Sequence, residues 1–262
     1  MSRIATILNT LLKPTGFSAT ARARTIPELQ NQPQLASAGR IIEFVGAQGI
    51  GKSTLSNAVH SRLKERWFFR ADLGDVGPAT ASFPGVEQAH RKLYFDRINW
   101  LQEHQPDAWH SFTAARQMAR VISESLMLST VGLPRGFVLD EGLFKNFPQE
   151  ILNHAEALPD EIWKGRALIH LRAKDPQSVV NRYQKRVAER DSKGLMLRAP
   201  SDADILERTK KDTALFENLL EIAENRGCST LVIDAETSHD ENVNKVLDFE
   251  SDLLCVSLAA VS

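Results

Sequence analysis

The stretch that decides the fold is Arg40 to Leu63, RIIEFVGAQGIGKSTLSNAVHSRL. Its opening, RIIEFVG, is an apolar run too short for a helix and ended by glycine, the pattern of a strand buried on both faces. From Ser53 onward, Leu55, Ala58, Val59 and Leu63 recur at helical spacing, so a helix follows. Between strand and helix stand Gly46, Gly49 and Gly51, directly ahead of Lys52, Ser53 and Thr54. That spacing satisfies G-x-x-x-x-G-K-[ST] in the strand-to-helix context the pattern needs. Glycines allow positive backbone φ and let main-chain N–H groups converge on phosphate oxygens. The helix start adds its unsatisfied N–H groups and the positive end of its dipole. Lys52 can reach the β- and γ-phosphates, and the Ser53 hydroxyl can bind Mg2+. The stretch reads as a nucleoside-triphosphate site.

Working outward, GFVLDEG (136–142) is a second buried strand that ends in two carboxylates. Asp140 is the candidate for ordering the metal, directly or through water. Glu141 is a candidate to hold a water, contact the acceptor or act as base; the bland alternative is that the pair merely caps a strand. RWFFRAD (66–72) reads as a strand closing at Asp72, and 73–86 as a loop rich in glycine and proline. Residues 87–130 are helical in pattern, interrupted near Pro106. RALIHLRA (166–173) is a further strand, followed by Asp175-Pro176, a cap and first-turn proline. SDAD (201–204) has the form of a capping box before a long helix that runs out at Gly227. STLVIDAE (229–236) is the last strand, and a helix with Val243, Val246, Leu247 and Leu253 follows it. Strands alternating with helices imply a parallel sheet with right-handed crossovers and helices on both faces.

The chain has 262 residues, is 42% hydrophobic and 25% charged, and has a net charge of -1. That describes a globular chain with enough length for a sizeable core. Near-neutrality does not suggest a nucleic-acid channel or a polybasic membrane binder. No run approaches the ~20 apolar residues of a membrane helix. Cys228 and Cys255 lack neighbouring Cys/His clusters, so a reducing, cytoplasmic interior is the simpler expectation. The first 27 residues lack acidic groups and hold Arg3, Lys13, Arg22 and Arg24, a composition shared by a loose arm and by transit peptides. Residues 1–39 are expected to be an N-terminal arm and linker, and 40–262 the phosphate-loop domain. His90, His104 and His110 match no common zinc spacing and read as packing or surface residues. Trp67, Phe68 and Phe69 read as core.

Three segments carry a resemblance to a known family. They are the short GxxGxGKST loop, DPQSVVNRYQKRVAERDSKG (175–194), and TLVIDAETSHDENVNKVLDF (230–249). With these, the chain resembles the nucleoside and nucleotide kinases, thymidylate kinase most of all, from Arg40 to about Phe249. The resemblance implies an α/β phosphate-loop NTPase fold with a five-stranded parallel sheet ordered 2-3-1-4-5. It implies that Arg182, Arg186 and Arg190, at i, i+4 and i+8, form an arginine-bearing lid at about 182–200; a solvated basic face is the alternative. It puts Asp234 and Ala235 near the base of ATP. It assigns acceptor binding to about 72–130, with Arg116 and Arg120 of AARQMARVI as the gripping residues and Asp72 as an acid that takes the acceptor's proton. The chain departs from the family where Asp140-Glu141 replaces Asp-Arg, where Asp72-Leu73-Gly74 replaces Glu-Pro, and where Glu250 follows Phe249.

The function expected is Mg2+-dependent transfer of the ATP γ-phosphate to a small-molecule acceptor, a nucleoside or nucleoside monophosphate. A kinase for a sugar or other alcohol, and a nucleotide-dependent switch acting through protein contacts, are the alternatives. Asp72 and Glu141 both stand as candidate bases. The expected partners are ATP and the acceptor, without membrane or nucleic acid, and a homodimer is left open.

Overall fold

In a computed structural model, the described residues are 35, 37, 39–69, 84–105, 107–131, 133–191 and 200–259, with the side chains of 190, 191 and 256–259 excepted. Most of the expected N-terminal arm, Asp72 with residues 73–83, and lid residues 192–199 lie outside that set, whereas 84–86, expected as the end of the loop, are the first turn of a helix.

The described residues form a five-stranded parallel sheet ordered β2-β3-β1-β4-β5. Its strands are β1 (Ile41–Val45), β2 (Trp67–Phe69), β3 (Gly136–Leu139), β4 (Arg166–Arg172) and β5 (Ser229–Asp234). In chain order the helices are α1 (Lys52–Leu63), α2 (Pro84–His104), α3 (Ala108–Thr130), α4 (Leu143–Asn146), α5 (Pro148–His154), α6 (Pro176–Asp191), α7 (Asp202–Asn225) and α8 (His239–Ala259). This is the phosphate-loop NTPase fold.

Strand periodicity sorts the core into two layers. Ile42 and Phe44 of β1, with Ile169 and Leu171 of β4, face α1 and α8 through Leu55, Val59, Val243 and Val246. Val45 and Leu168 face the other way, onto Phe144, Phe147, Trp163 and Phe216. Because β1 is covered on both faces, its five residues are all buried, the four apolar ones and Glu43 among them. Trp67 and Phe68 are core, and Phe69 packs half-buried against it. Ser37, inside the stretch read as linker, is buried; its hydroxyl donates to the Arg66 carbonyl at 2.6 Å and accepts from Gly136 N–H at 3.1 Å.

Parallel strands bring the loops after β1, β3, β4 and β5 to one edge of the sheet. The strand order reverses direction beside β1, and there the loops on either side part to leave a crevice. Among the described residues, no helix is long and apolar enough to cross a membrane. Cys228 and Cys255 are free thiols.

Candidate functional site

The loop from β1 to α1 turns through Gly46, Gly49 and Gly51 at φ 132°, 85° and 109°. Gly46 is constrained twice over. Its φ is positive, and a Cβ there would lie 2.5 Å from the Leu171 carbonyl oxygen on β4. Gly51 is the N-cap of α1 and supplies no side chain to cap the N–H groups of the first turn. A helix N-terminus of this kind is suited to an anion.

Lys52 is 7% exposed, and its Nζ donates to the carbonyls of Gly46 at 2.9 Å and Ala47 at 2.8 Å. Burial brings its pKa down to about 7, and the nearby Lys145 charge adds to the effect, while Glu141, Asp212 and Asp140 oppose it. An anion laid in the loop would restore the charged form. Ser53 and Thr54 are exposed, with Glu141, Lys145, Arg186 and Asp212 around the same cavity of about 250 Å³. Asp140 is half-buried at the end of β3, and Gln117 of α3 approaches the Glu141 carboxylate at 3.4 Å.

The remaining sequence-expected residues divide. Arg186 lines the phosphate cavity. Arg182, one turn back on α6, donates to the Ile50 carbonyl at 3.0 Å and the Ala235 carbonyl at 2.8 Å, tying the phosphate loop to the exit of β5. Arg190 is on the last turn of α6, and its side chain is outside the described set, as is Asp72. Arg116 is exposed on α3 and Arg120 pairs with Glu124 at 3.1 Å; neither lines the phosphate cavity. His90 is buried between the Val86 carbonyl and Ser125, His104 stacks on Trp100, and His110 pairs with Asp107.

Three residues at the cavity were not singled out from sequence: Gln48, a variable position of the glycine loop itself, and Lys145 and Asp212 from elsewhere in the chain. Lys145 sits on the one-turn helix α4, in a region whose elements are too short for a periodic signal. Its amine lies 5.3 Å from the Phe216 ring centroid, and burial holds its pKa below the usual lysine range. The clue was a lysine flanked by Phe144 and Phe147, both fully buried. Asp212 lies in the run ERTKKD on α7, which reads as an ordinary solvent face.

The position of α4 comes from Glu43, a fully buried carboxylate on the central strand. Its Oε1 accepts the Lys145 backbone N–H at 2.8 Å, and Arg166 stands 3.5 Å from its Oε2. Burial pushes the Glu43 pKa up to about 7 against the pull of Arg166 and the N–H groups of Lys145 and Phe144. Arg166 also donates to the Ser125 hydroxyl at 2.9 Å, which meets His90 Nε2 at 2.9 Å. One buried polar chain thus joins β1, β4, α3 and α2.

Among the described residues, no group of three or more His, Cys, Asp or Glu could hold a metal by itself. The Ser53 hydroxyl and the Asp140 and Glu141 carboxylates are hard oxygen donors. That sparse set fits Mg2+, which keeps several waters and takes ligands from substrate phosphates.

No protein-family model matches the chain, and no curated protein sequence matches it. Solved structures similar to it include deoxyadenosine kinase from M. mycoides with bound dCTP. That protein is 15% identical over 81% of this chain and 99% of its own, with a TM-score of 0.40. A gluconokinase from Sinorhizobium meliloti 1021 is 15% identical over 86% and 98%, with a TM-score of 0.40. Shikimate kinase from Bacteroides thetaiotaomicron is 12% identical over 81% and 98%, with a TM-score of 0.37.

Proposed function

We propose that the chain is a Mg2+-dependent phosphotransferase that moves the γ-phosphoryl group of ATP to a small-molecule acceptor of the nucleoside or nucleoside monophosphate kind. One observation carries the reading: a buried lysine amine inside a glycine loop, at a helix N-terminus, with Ser53, Glu141 and Arg186 around the same cavity.

In this reading Lys52 exchanges two loop carbonyls for phosphate oxygens and regains full charge as it does so. Arg186 and Lys145 spread the negative charge that develops on the transferring group. Ser53 and Asp140 would hold Mg2+, which when bound would neutralise phosphate charge. An acceptor oxygen forms its bond to the γ-phosphorus as the bond to the leaving ADP breaks, and its proton passes to a carboxylate. Glu141, exposed at the cavity, and Asp72 are the candidates for that proton. Ala235, bonded to Arg182, is the proposed edge of the adenine site. Positioning and electrostatics carry the rate, as in phosphoryl transfer generally.

The test is Lys52→Ala. Transfer from labelled ATP should fall about 100-fold or more, as it does when a main electrostatic stabiliser is removed, with the far-ultraviolet dichroism unchanged. Normal turnover in that variant overturns the reading. ADP release that no acceptor accelerates points instead to a nucleotide switch.

A further inference from the structure

A second cavity, of about 450 Å³, adjoins the phosphate site and shares two of its walls, Lys145 and Asp212. It lies between α2, α3, α5 and α7 and is within the size range of small-molecule sites. Trp100, Met118 and Phe216 give it an apolar wall, and Trp100 is 44% exposed.

The charges of this lining balance. Arg97 and Lys145 are its cations among the described residues, and Glu150 and Asp212 are its carboxylates. Arg97 is already engaged. It stands 3.0 Å from Glu150 Oε2, donates to the Asn146 carbonyl at 2.8 Å, and lies 5.3 Å from the Trp100 ring and 5.9 Å from the Phe147 ring. Lys145 stands at the boundary with the phosphate loop and feels Asp212 and Glu141. Neither Arg116 nor Arg120 lines this cavity. An acceptor carrying its own phosphate would be desolvated here without a surplus cation to offset the cost. An uncharged molecule meets no such penalty and gains the apolar wall.

We infer that this cavity is the acceptor site and that it takes an uncharged organic molecule, of nucleoside size, with a hydroxyl to phosphorylate and a flat or apolar portion against Trp100, Met118 and Phe216. The assignment rests on the phosphotransfer reading and narrows it to alcohols over monophosphates. Lys145 and Asp212, common to both cavities, mark where the acceptor hydroxyl meets the γ-phosphate.

The experiment uses the full chain with Mg·ATP and matched acceptor pairs: nucleosides with their 5′-monophosphates, and neutral polyols with their phosphorylated or carboxylated counterparts. Products are identified by mass spectrometry, and Mg·ATP affinity is followed by calorimetry. Transfer should favour the neutral members about 100-fold or more in kcat/KM, the scale of an unpaired buried charge. Which neutral set reacts separates nucleosides from other alcohols. Trp100→Ala, a change at the protein surface, should raise the acceptor KM about 10-fold with Mg·ATP affinity unchanged. Glu150→Gln removes the partner of Arg97 and should shift the ratio toward the phosphorylated member by about 10-fold or more. Preference of the wild-type chain for anionic acceptors overturns the assignment. So does Mg·ATP binding without transfer to any neutral acceptor, or the same KM and ratio in both variants. A wild-type chain that binds no Mg·ATP removes the phosphotransfer reading, and this assignment with it.

Discussion

Glu43 is a carboxylate without solvent, and its proton is therefore coupled to folding. Its pKa in the folded protein is about 7 against an ordinary value of 4.5, so the folded state holds the proton more tightly. Stability from this group is fully present below about pH 4.5 and is lost as the pH rises through about 7. His90 and His170 act in the opposite sense, since burial lowers both to about 4 and disfavours their charged forms on acidification. Comparing Glu43→Gln with wild type isolates the carboxylate from those histidines. Relative to wild type, the variant should gain stability as pH rises from about 5 to about 8 in urea titrations. Parallel pH profiles for the two proteins would show that Glu43 does not titrate in this range. That a glutamate sits on the central strand is plain from the sequence. That its partners are Arg166, distant in the chain, and the N–H of Lys145 is not, because both reach it only through the folded sheet.

The helix α4 is a single turn and would not persist alone, since one turn fixes several dihedrals for one or two hydrogen bonds. It exists because Phe144 is buried within it, with Phe147 buried just beyond its end, and because the Glu43 carboxylate sits under its first turn. Gly142 makes that approach feasible: a Cβ there would lie 2.4 Å from Glu43 Cδ. Gly142→Ala should destabilise the protein by about 1–3 kcal/mol through overpacking, read from urea unfolding. It should also lower kcat with Mg·ATP affinity largely kept, because it disturbs the helix that carries Lys145. An unchanged unfolding midpoint would show that the carboxylate moves aside freely. Longer helices were legible for the converse reason. The capping box of α7, with Ser201 Oγ accepting the Asp204 N–H at 3.1 Å and Asp204 accepting the Ser201 N–H at 3.2 Å, was visible as SDAD. Caps and long periodic faces are local signals, whereas α4 and α5 are held by tertiary burial.

Across the whole molecule, β2 is the shortest strand among the described residues, an edge of three residues paired there with β3. It is anchored from the far end of the chain by Glu250 of α8, fully buried, which accepts the Trp67 indole N–H at 2.7 Å and an Arg66 guanidinium N–H at 2.9 Å. The glutamate that interrupts the tail resemblance is thus a structural tie. Glu250→Leu leaves the buried indole N–H unpaired and should cost about 2 kcal/mol; no loss in thermal or urea unfolding would show that the tie is dispensable. Arg186 came from the family resemblance, while the sequence by itself determined the phosphate loop, the alternation of strands and helices, and the candidates Lys52, Ser53 and Asp140. These rest on short-range requirements: a positive φ, a period of two or of 3.6, a lysine beside a helix start. Only the tertiary structure decided that Arg182 braces the loop to Ala235, that Arg120 pairs with Glu124, and that Lys145 and Asp212 stand where two cavities meet. Which charges share a cavity depends on how the chain returns to one edge of the sheet, and spacing along the sequence carries no record of that distance.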